Sequence, residues 1–279
     1  MKPYRAICLI CLLLAAVPAQ AQDQTLERVS VDVIKIATQE QLTDMMSVSM
    51  RLKEAGASYQ KALTYPEIKL DDSEAMRVFI GVRQFDALYA AAFGKKKDVA
   101  AFLKAQNDQV MQLNLKGRVD ISAVFPPELN WMLREPDKVN FKDIVAAYAD
   151  NLSRYEKLGE EPAGLDVIGD ALFGFVVEGL YVTGQSILQA GSDPQMLRVI
   201  NGMSPSLNAL SRLYEAMTHD KQYAAFCDTA EALELGERRG WIKEMADMLA
   251  QKGGSLSGNE LQAIATFAVK KRQTLVPED

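Results

Sequence analysis

Apolar residues recur along the chain at the three- and four-residue spacing of amphipathic helices, and alternating strand patterns are nearly absent. Capping residues and glycines mark where the helices begin and end. The first half of the chain is predicted to form helices from about Val31 to Ala55, from Ser73 to Gly94, from Asp98 to about residue 114, and from Asn140 to Gly159.

One later segment, about Leu165–Ala190, is apolar on most of its circumference, as expected of a helix buried among others. Glycines recur there every five residues, at positions 164, 169, 174, 179 and 184. At about 100° per residue this step spirals around the helix. Each interior glycine costs about 1 kcal/mol of helix propensity, so we expect neighbouring helices to approach closely on several sides. A membrane span is the alternative, but Asp170 and Glu178 favour a buried helix.

Shorter helices follow, with predicted starts at Pro194, Pro205, Asp220, Gly240 and the Ser257 capping box. Connections are mostly short, and no long linker separates two domains. We therefore predict one all-α domain over residues 22–279, with no β-sheet. It is expected to be a multi-helix bundle or orthogonal helical array around the central glycine-rich helix. A helical-repeat array is the alternative topology.

The first 21 residues have the pattern of a secretory signal peptide. Lys2 and Arg5 precede an apolar run over residues 6–17, and Ala19-Gln20-Ala21 provides a small-x-small cleavage site. We expect a mature chain that begins at Gln22 in the periplasm, with an extracellular location or an uncleaved anchor as alternatives. No transmembrane segment is expected in the mature chain.

Composition excludes several classes of function. Cleavage would remove two of the 31 basic residues and none of the 37 acidic ones, which changes the net charge from −6 to −8. Such a chain is poorly suited to binding nucleic acid. Cys227 would be the one mature cysteine, and His219 is the one histidine. No disulfide, His/Cys metal site, nucleotide motif or cofactor site is therefore expected.

Two groups of residues are candidates for ligand binding. Glu178, Gln185 and Gln189 fall within about 40° of arc on the central helix. This polar stripe is predicted to be the solvent edge of the helix, and the alternative is a cavity in which the carboxylate orients a ligand or pairs with an arginine. Phe125 and Trp131 lie in the Pro-containing break over residues 115–139. They are predicted to plug one end of the bundle, and a ligand contact is the alternative.

No catalytic residues can be assigned from these patterns, which favour binding over catalysis. We expect an exported accessory or binding protein that holds an apolar small molecule or a partner protein. The alternative is an enzyme that works with carboxylates alone, such as a glycan-cleaving hydrolase. A closed apolar pocket would support the first function. A groove lined by acids and aromatic residues would support the second.

Overall fold

In a computed structural model the chain is described over residues 29, 31–40, 46–116, 120–189, 194–250 and 256–275. These residues form α-helices joined by turns and short 3₁₀ segments, and no strand occurs among them, which confirms the predicted all-α class. The helices are α1 (Val31–Glu40), α2 (Met46–Glu54), α3 (Ser73–Ala92), α4 (Lys96–Lys116), α5 (Leu129–Arg134), α6 (Phe141–Asp150), α7 (Leu152–Leu158), α8 (Pro162–Gln189), α9 (Pro194–Asn201), α10 (Ser204–His219), α11 (Lys221–Phe226), α12 (Thr229–Ala250) and α13 (Gly258–Thr274). The predicted signal peptide lies outside the described residues.

Local hydrogen bonds explain several helix boundaries. The Asp72 side chain accepts from the Ala75 amide at 2.7 Å and caps α3, one residue before the predicted start at Ser73. Asn140 and Asp143 form a capping box at the start of α6, and Ser257 and Glu260 form the predicted box at the start of α13. Gly94 follows α3 with a φ of 70°, a conformation that side chains other than glycine rarely adopt.

Three predicted boundaries are wrong. The helix predicted from Asn140 to Gly159 is divided at Asn151, where the amide bonds within a tight turn to Tyr148 O. The helix predicted to start at Asp220 would have Tyr223 and Cys227 on one face, but it ends at Phe226, because Cys227 has an extended backbone. Gly240 lies inside α12, because its neighbours on both sides are good helix formers. The first predicted helix appears as α1 and α2, and residues 41–45 between them lie outside the described residues.

The central helix is α8, whose side chains are buried along most of its 28 residues. Its glycines face different neighbours. A Cβ atom added at Gly174 would lie 2.0 Å from Val78 O of α3, and one added at Gly164 would lie 1.8 Å from Leu158 O of α7. At Gly169 and Gly184 the nearest atoms belong to Tyr214 of α10 and Ala265 of α13, each at 3.2 Å. Neighbours therefore approach α8 from several sides, as the five-residue spiral predicts.

The contact between α3 and α8 is backbone to backbone. Gly81 of α3 lies against α8 such that an added Cβ would be 1.7 Å from Ala171 O. Together with Gly174, this glycine brings the two helices into the most extensive contact of the core. In the part of the chain that the structure describes, no helix combines the length and apolar character needed to cross a bilayer.

Candidate functional site

Two networks of charged side chains lie between α3 and α8, and each is completed by an arginine from the last third of the chain. The first, which we call the Asp170 network, comprises Glu74, Arg77, Asp166, Asp170, Glu234 and Arg238. The second, which we call the Glu178 network, comprises Arg83, Asp86, Glu178 and Arg272. The Glu178 network is almost wholly buried, whereas the Glu74 and Glu234 side chains of the Asp170 network are 37% and 43% exposed.

In the Asp170 network one buried carboxylate joins two arginines. Asp170 accepts from Arg77 Nε at 2.5 Å and from Arg238 Nη1. Arg77 also pairs through Nη2 with Asp166 at 2.8 Å. The Tyr223 hydroxyl donates to Asp166, also at 2.8 Å. These bonds connect α3, α8, α11 and α12.

Arg238 of α12 holds two further carboxyl groups side by side. Its Nη2 contacts Glu74 of α3, and it pairs with Glu234 at 2.6 Å, one helical turn earlier on α12. The guanidinium also lies over the Phe173 ring, 4.9 Å from its centroid. Glu74 and Glu234 also interact with each other, and a hydrogen bond between their carboxyl groups contributes to the raised pKa of Glu74.

The two carboxyl groups differ in acidity. Burial and the bond to Glu234 raise the pKa of Glu74 to about 8, although Arg238 opposes the rise. Burial alone would raise the pKa of Glu234, but its bonds from Glu74 and Arg238 keep it below its ordinary value. Burial and the neighbouring Asp170 raise the pKa of Asp166 to about 6. Near neutral pH, Glu74 therefore carries the proton and Glu234 accepts the hydrogen bond.

An open cleft of about 610 Å³ borders this carboxyl pair, between the start of α3, α12 and the end of α13. We call it the α12 cleft. Its apolar lining includes Val78, Phe173 and Leu233, and the Leu233 side chain is 67% exposed at the rim. The charged lining residues are four acids and two bases: Asp72, Glu74, Glu234, Glu237, Arg238 and Lys271.

In the Glu178 network a fully buried carboxylate forms a two-bonded ion pair. Arg272 of α13 donates from Nε and Nη2 to the two carboxylate oxygens of Glu178, each at 2.8 Å. Its guanidinium lies between the rings of Tyr65 and Tyr181, 4.4 and 3.9 Å from their centroids. Nη2 also donates to Leu63 O at 2.8 Å. This arginine therefore fixes α13 against α8 and the segment that precedes α3.

Asp86 and Arg83 of α3 complete the Glu178 network. Burial raises the pKa of the Asp86 carboxyl well above its usual range, and the adjacent Glu178 adds to the rise. Burial also raises the pKa of Glu178, against the bonds from Arg272 and Asp86. Burial therefore disfavours the ionised forms of both Asp86 and Glu178, and the charges of Arg83 and Arg272 oppose this effect. Arg83 donates to Asp86 at 3.2 Å and to the carbonyl oxygens of Tyr65 and Pro66.

The predicted solvent edge of α8 is wrong at its first position. Glu178 is fully buried, because the charge that compensates it comes from Arg272, 94 residues later. Of the alternative, a cavity in which the carboxylate orients a ligand or pairs with an arginine, the structure shows the pairing with an arginine. Gln185 is half-buried, and Gln189 is exposed and accepts from Gln60, so the stripe runs from the core towards the surface.

The aromatic candidates lie elsewhere. Phe125 is buried and ends a 3₁₀ turn that packs on α4 and α7, and Trp131 is half-buried on α5, which packs on α4. The structure therefore keeps the two predicted groups apart: Glu178 and Gln185 lie along α8, and Phe125 and Trp131 lie on elements that pack on α4. Among the described residues, no group of three or more His, Cys, Asp or Glu side chains is arranged to hold a metal ion.

Sequence patterns missed the Asp170 network. Asp166 and Asp170 lie in the first turns of α8, where the helix dipole favours acids, so their position alone does not indicate a network. Their four-residue spacing places both on one face of an apolar helix, and Glu234 and Arg238 have the same spacing on α12. Two such pairs are a signal for a cross-helix network, but nothing in the spacing identifies which pairs meet.

The chain matches no protein-family model, no curated protein and no solved structure. The geometry of these networks and clefts is therefore the basis for the functional proposal.

Proposed function

We propose that the protein is an exported, periplasmic binding protein whose α12 cleft holds a small molecule with an apolar body and a cationic amine group. The observation that carries this proposal is the Glu74–Glu234 carboxyl pair at the edge of a partly apolar cleft. The α12 cleft has a volume of about 610 Å³, which lies within the range of small-molecule sites. The proposal keeps the small apolar ligand expected from the sequence and adds a charged group to it.

The apolar part of the ligand would contact Val78, Phe173 and Leu233. An exposed leucine beside a buried aromatic ring offers apolar area that a ligand can remove from water at about 25 cal/mol per Å². Leu275 extends the same surface from the end of α13. This part of the cleft would provide affinity without strong chemical specificity.

The cationic group would bind at the carboxyl pair. The raised pKa of Glu74 indicates that the two carboxyl groups would carry more negative charge than Arg238 neutralises if both were ionised. A ligand cation can replace the proton on Glu74, because both relieve the same repulsion. Binding is then coupled to proton release, and affinity rises with pH up to the pKa of the pair, about 8.

Isothermal titration with hexylamine, and with hexanol as the uncharged control, tests this proposal. Hexylamine affinity is expected to rise by up to about tenfold per pH unit between about pH 6 and 8, while hexanol binds weakly at every pH. Glu74→Gln should remove the pH dependence, because Glu74 carries the proton that the ligand displaces. Glu244→Gln, an exposed position on α12, should leave it unchanged. Equal binding of hexanol and hexylamine would refute the proposal.

A second candidate function is the enzyme that works with carboxylates alone. Two observations favour it: Glu74 and Glu234 line one cleft, and their environments separate their pKa values as general acid and base require. However, glycan hydrolases hold their two carboxyls about 5–9.5 Å apart, whereas these two are hydrogen-bonded. Incubation with peptidoglycan tests it: release of reducing ends that disappears in Glu74→Gln would establish catalysis, and no release would leave binding as the function.

A further inference from the structure

A second open cleft, of about 530 Å³, lies between the segment of residues 61–67, α3, α4 and the end of α13. We call it the Tyr65 cleft, after a residue that lines it. Four basic and two acidic side chains line it: Lys61, Arg83, Lys104, Arg272, Glu67 and Asp108. Its charge is therefore opposite to that of the α12 cleft, in a chain whose net charge is −6.

We propose that the Tyr65 cleft binds a small organic oxyanion, a molecule with a carboxylate or phosphate group attached to an apolar body. This site is separate from the α12 cleft and does not depend on the function proposed there. The planar fork of an arginine matches the oxygens of both anions, and two arginines form the inner wall of this cleft.

The two arginines are held in place by the buried core. Arg83 is 4% exposed and is fixed by Asp86 and two carbonyl oxygens, while Arg272 is clamped between two tyrosine rings. Such preorganised donors lose little freedom when a ligand binds. The described hydrogen bonds of Arg272 all leave from Nε and Nη2, so Nη1 is available to a ligand. The buried Nε of Arg83 has no acceptor among the described residues.

The charged groups behind the cleft are two arginines, Arg83 and Arg272, and two buried acids, Asp86 and Glu178. Burial raises the pKa of both acids, which disfavours their ionised forms, so the two arginines would favour an anion in the cleft.

The outer wall can adjust to a ligand. The side chains of Lys61 and Lys104 are 71% and 70% exposed, and the ion pair of Lys104 with Asp108 lies largely in water. An exposed pair of this kind contributes little free energy, so the Lys104 ammonium group can turn to a bound anion. Phe102, with the Arg83 guanidinium 5.7 Å from its ring centroid, provides an apolar surface for the body of the ligand.

Isothermal titrations with benzoate and phenyl phosphate test this site, with benzyl alcohol as the uncharged control. At least one anion is expected to bind saturably and more tightly than the alcohol, and the tighter of the two identifies the preferred oxyanion. Lys104→Glu should weaken that binding by about tenfold, since it reverses one charge at roughly 6 Å in water. Lys243→Glu is the matched control, because Lys243 also forms an exposed pair with an acid four residues later.

Two results would overturn the proposal. The first is that neither anion binds more tightly than benzyl alcohol. The second is that Lys104→Glu and Lys243→Glu weaken binding equally, which would indicate a general effect of net charge. Hexylamine titration of the Lys104→Glu protein keeps the two clefts distinct, because binding at the α12 cleft should be unchanged there.

Discussion

Replacement of Gly174 by alanine tests the contact on which the core depends. The added Cβ would lie 2.0 Å from Val78 O and 2.9 Å from Val78 C, whereas ordinary van der Waals contact begins at 3.4 Å. The obstructing atoms belong to the backbone of α3 and cannot rotate away. The two helices must therefore separate by more than about 1 Å, and the side chains packed along both helices lose dispersion contacts.

The expected magnitude follows from two opposing effects. Alanine improves helix propensity by about 1 kcal/mol, and overpacking of a tight core costs about 1–3 kcal/mol, occasionally more. Because the clash is with backbone, we expect the upper end of that range and a net loss of about 2 kcal/mol in the free energy of unfolding. Urea unfolding, followed by circular dichroism, measures it.

Gly236 of α12 provides the matched control. It is also a glycine inside a helix, but it is exposed and has no neighbouring atom within 4 Å of an added Cβ. Gly236→Ala should therefore stabilise the protein by up to about 1 kcal/mol. Gly81→Ala should destabilise it like Gly174→Ala, and the double variant should lose less than the sum because one separation of the helices accommodates both. A higher urea midpoint for Gly174→Ala would refute the backbone contact.

Three further predictions concern charge and processing. Since the pKa values of Glu74 and Asp166 are raised to about 8 and about 6, the folded state binds more protons than the unfolded one. Stability should fall as pH rises from about 5 to 9, and Glu74→Gln should flatten this curve in thermal unfolding. Glu178→Gln should lower the free energy of unfolding by about 3 kcal/mol, because a buried arginine loses its counter-charge. Glu244→Gln, at an exposed position, should change the free energy of unfolding little. Equal losses in the two variants would contradict the buried pair. The intact mass of exported protein should match a chain that begins at Gln22, and a mass that includes residues 1–21 would contradict signal cleavage.

Features that depend on neighbours in sequence could be predicted, and features that depend on distant partners could not. The Asn140–Asp143 and Ser257–Glu260 capping boxes each lie within one helical turn, so the sequence contains the whole interaction. The glycine spiral of α8 predicted close neighbours but not which helices they are. Glu178 was assigned to the solvent edge because its partner, Arg272, lies 94 residues away.

The position of Arg272 in the chain also has a consequence for synthesis. The ribosome adds this arginine 94 residues after Glu178, so a nascent chain that ends at α12 carries the carboxylates of the Glu178 network without α13. Leaving one partner of a buried pair uncompensated costs about 3–5 kcal/mol, which is a large part of the total stability of an ordinary domain. We therefore expect incomplete chains to be less stable than the complete chain until α13 has emerged. For a protein that we propose to be exported, this lower stability would help to keep the chain unfolded while it crosses the membrane.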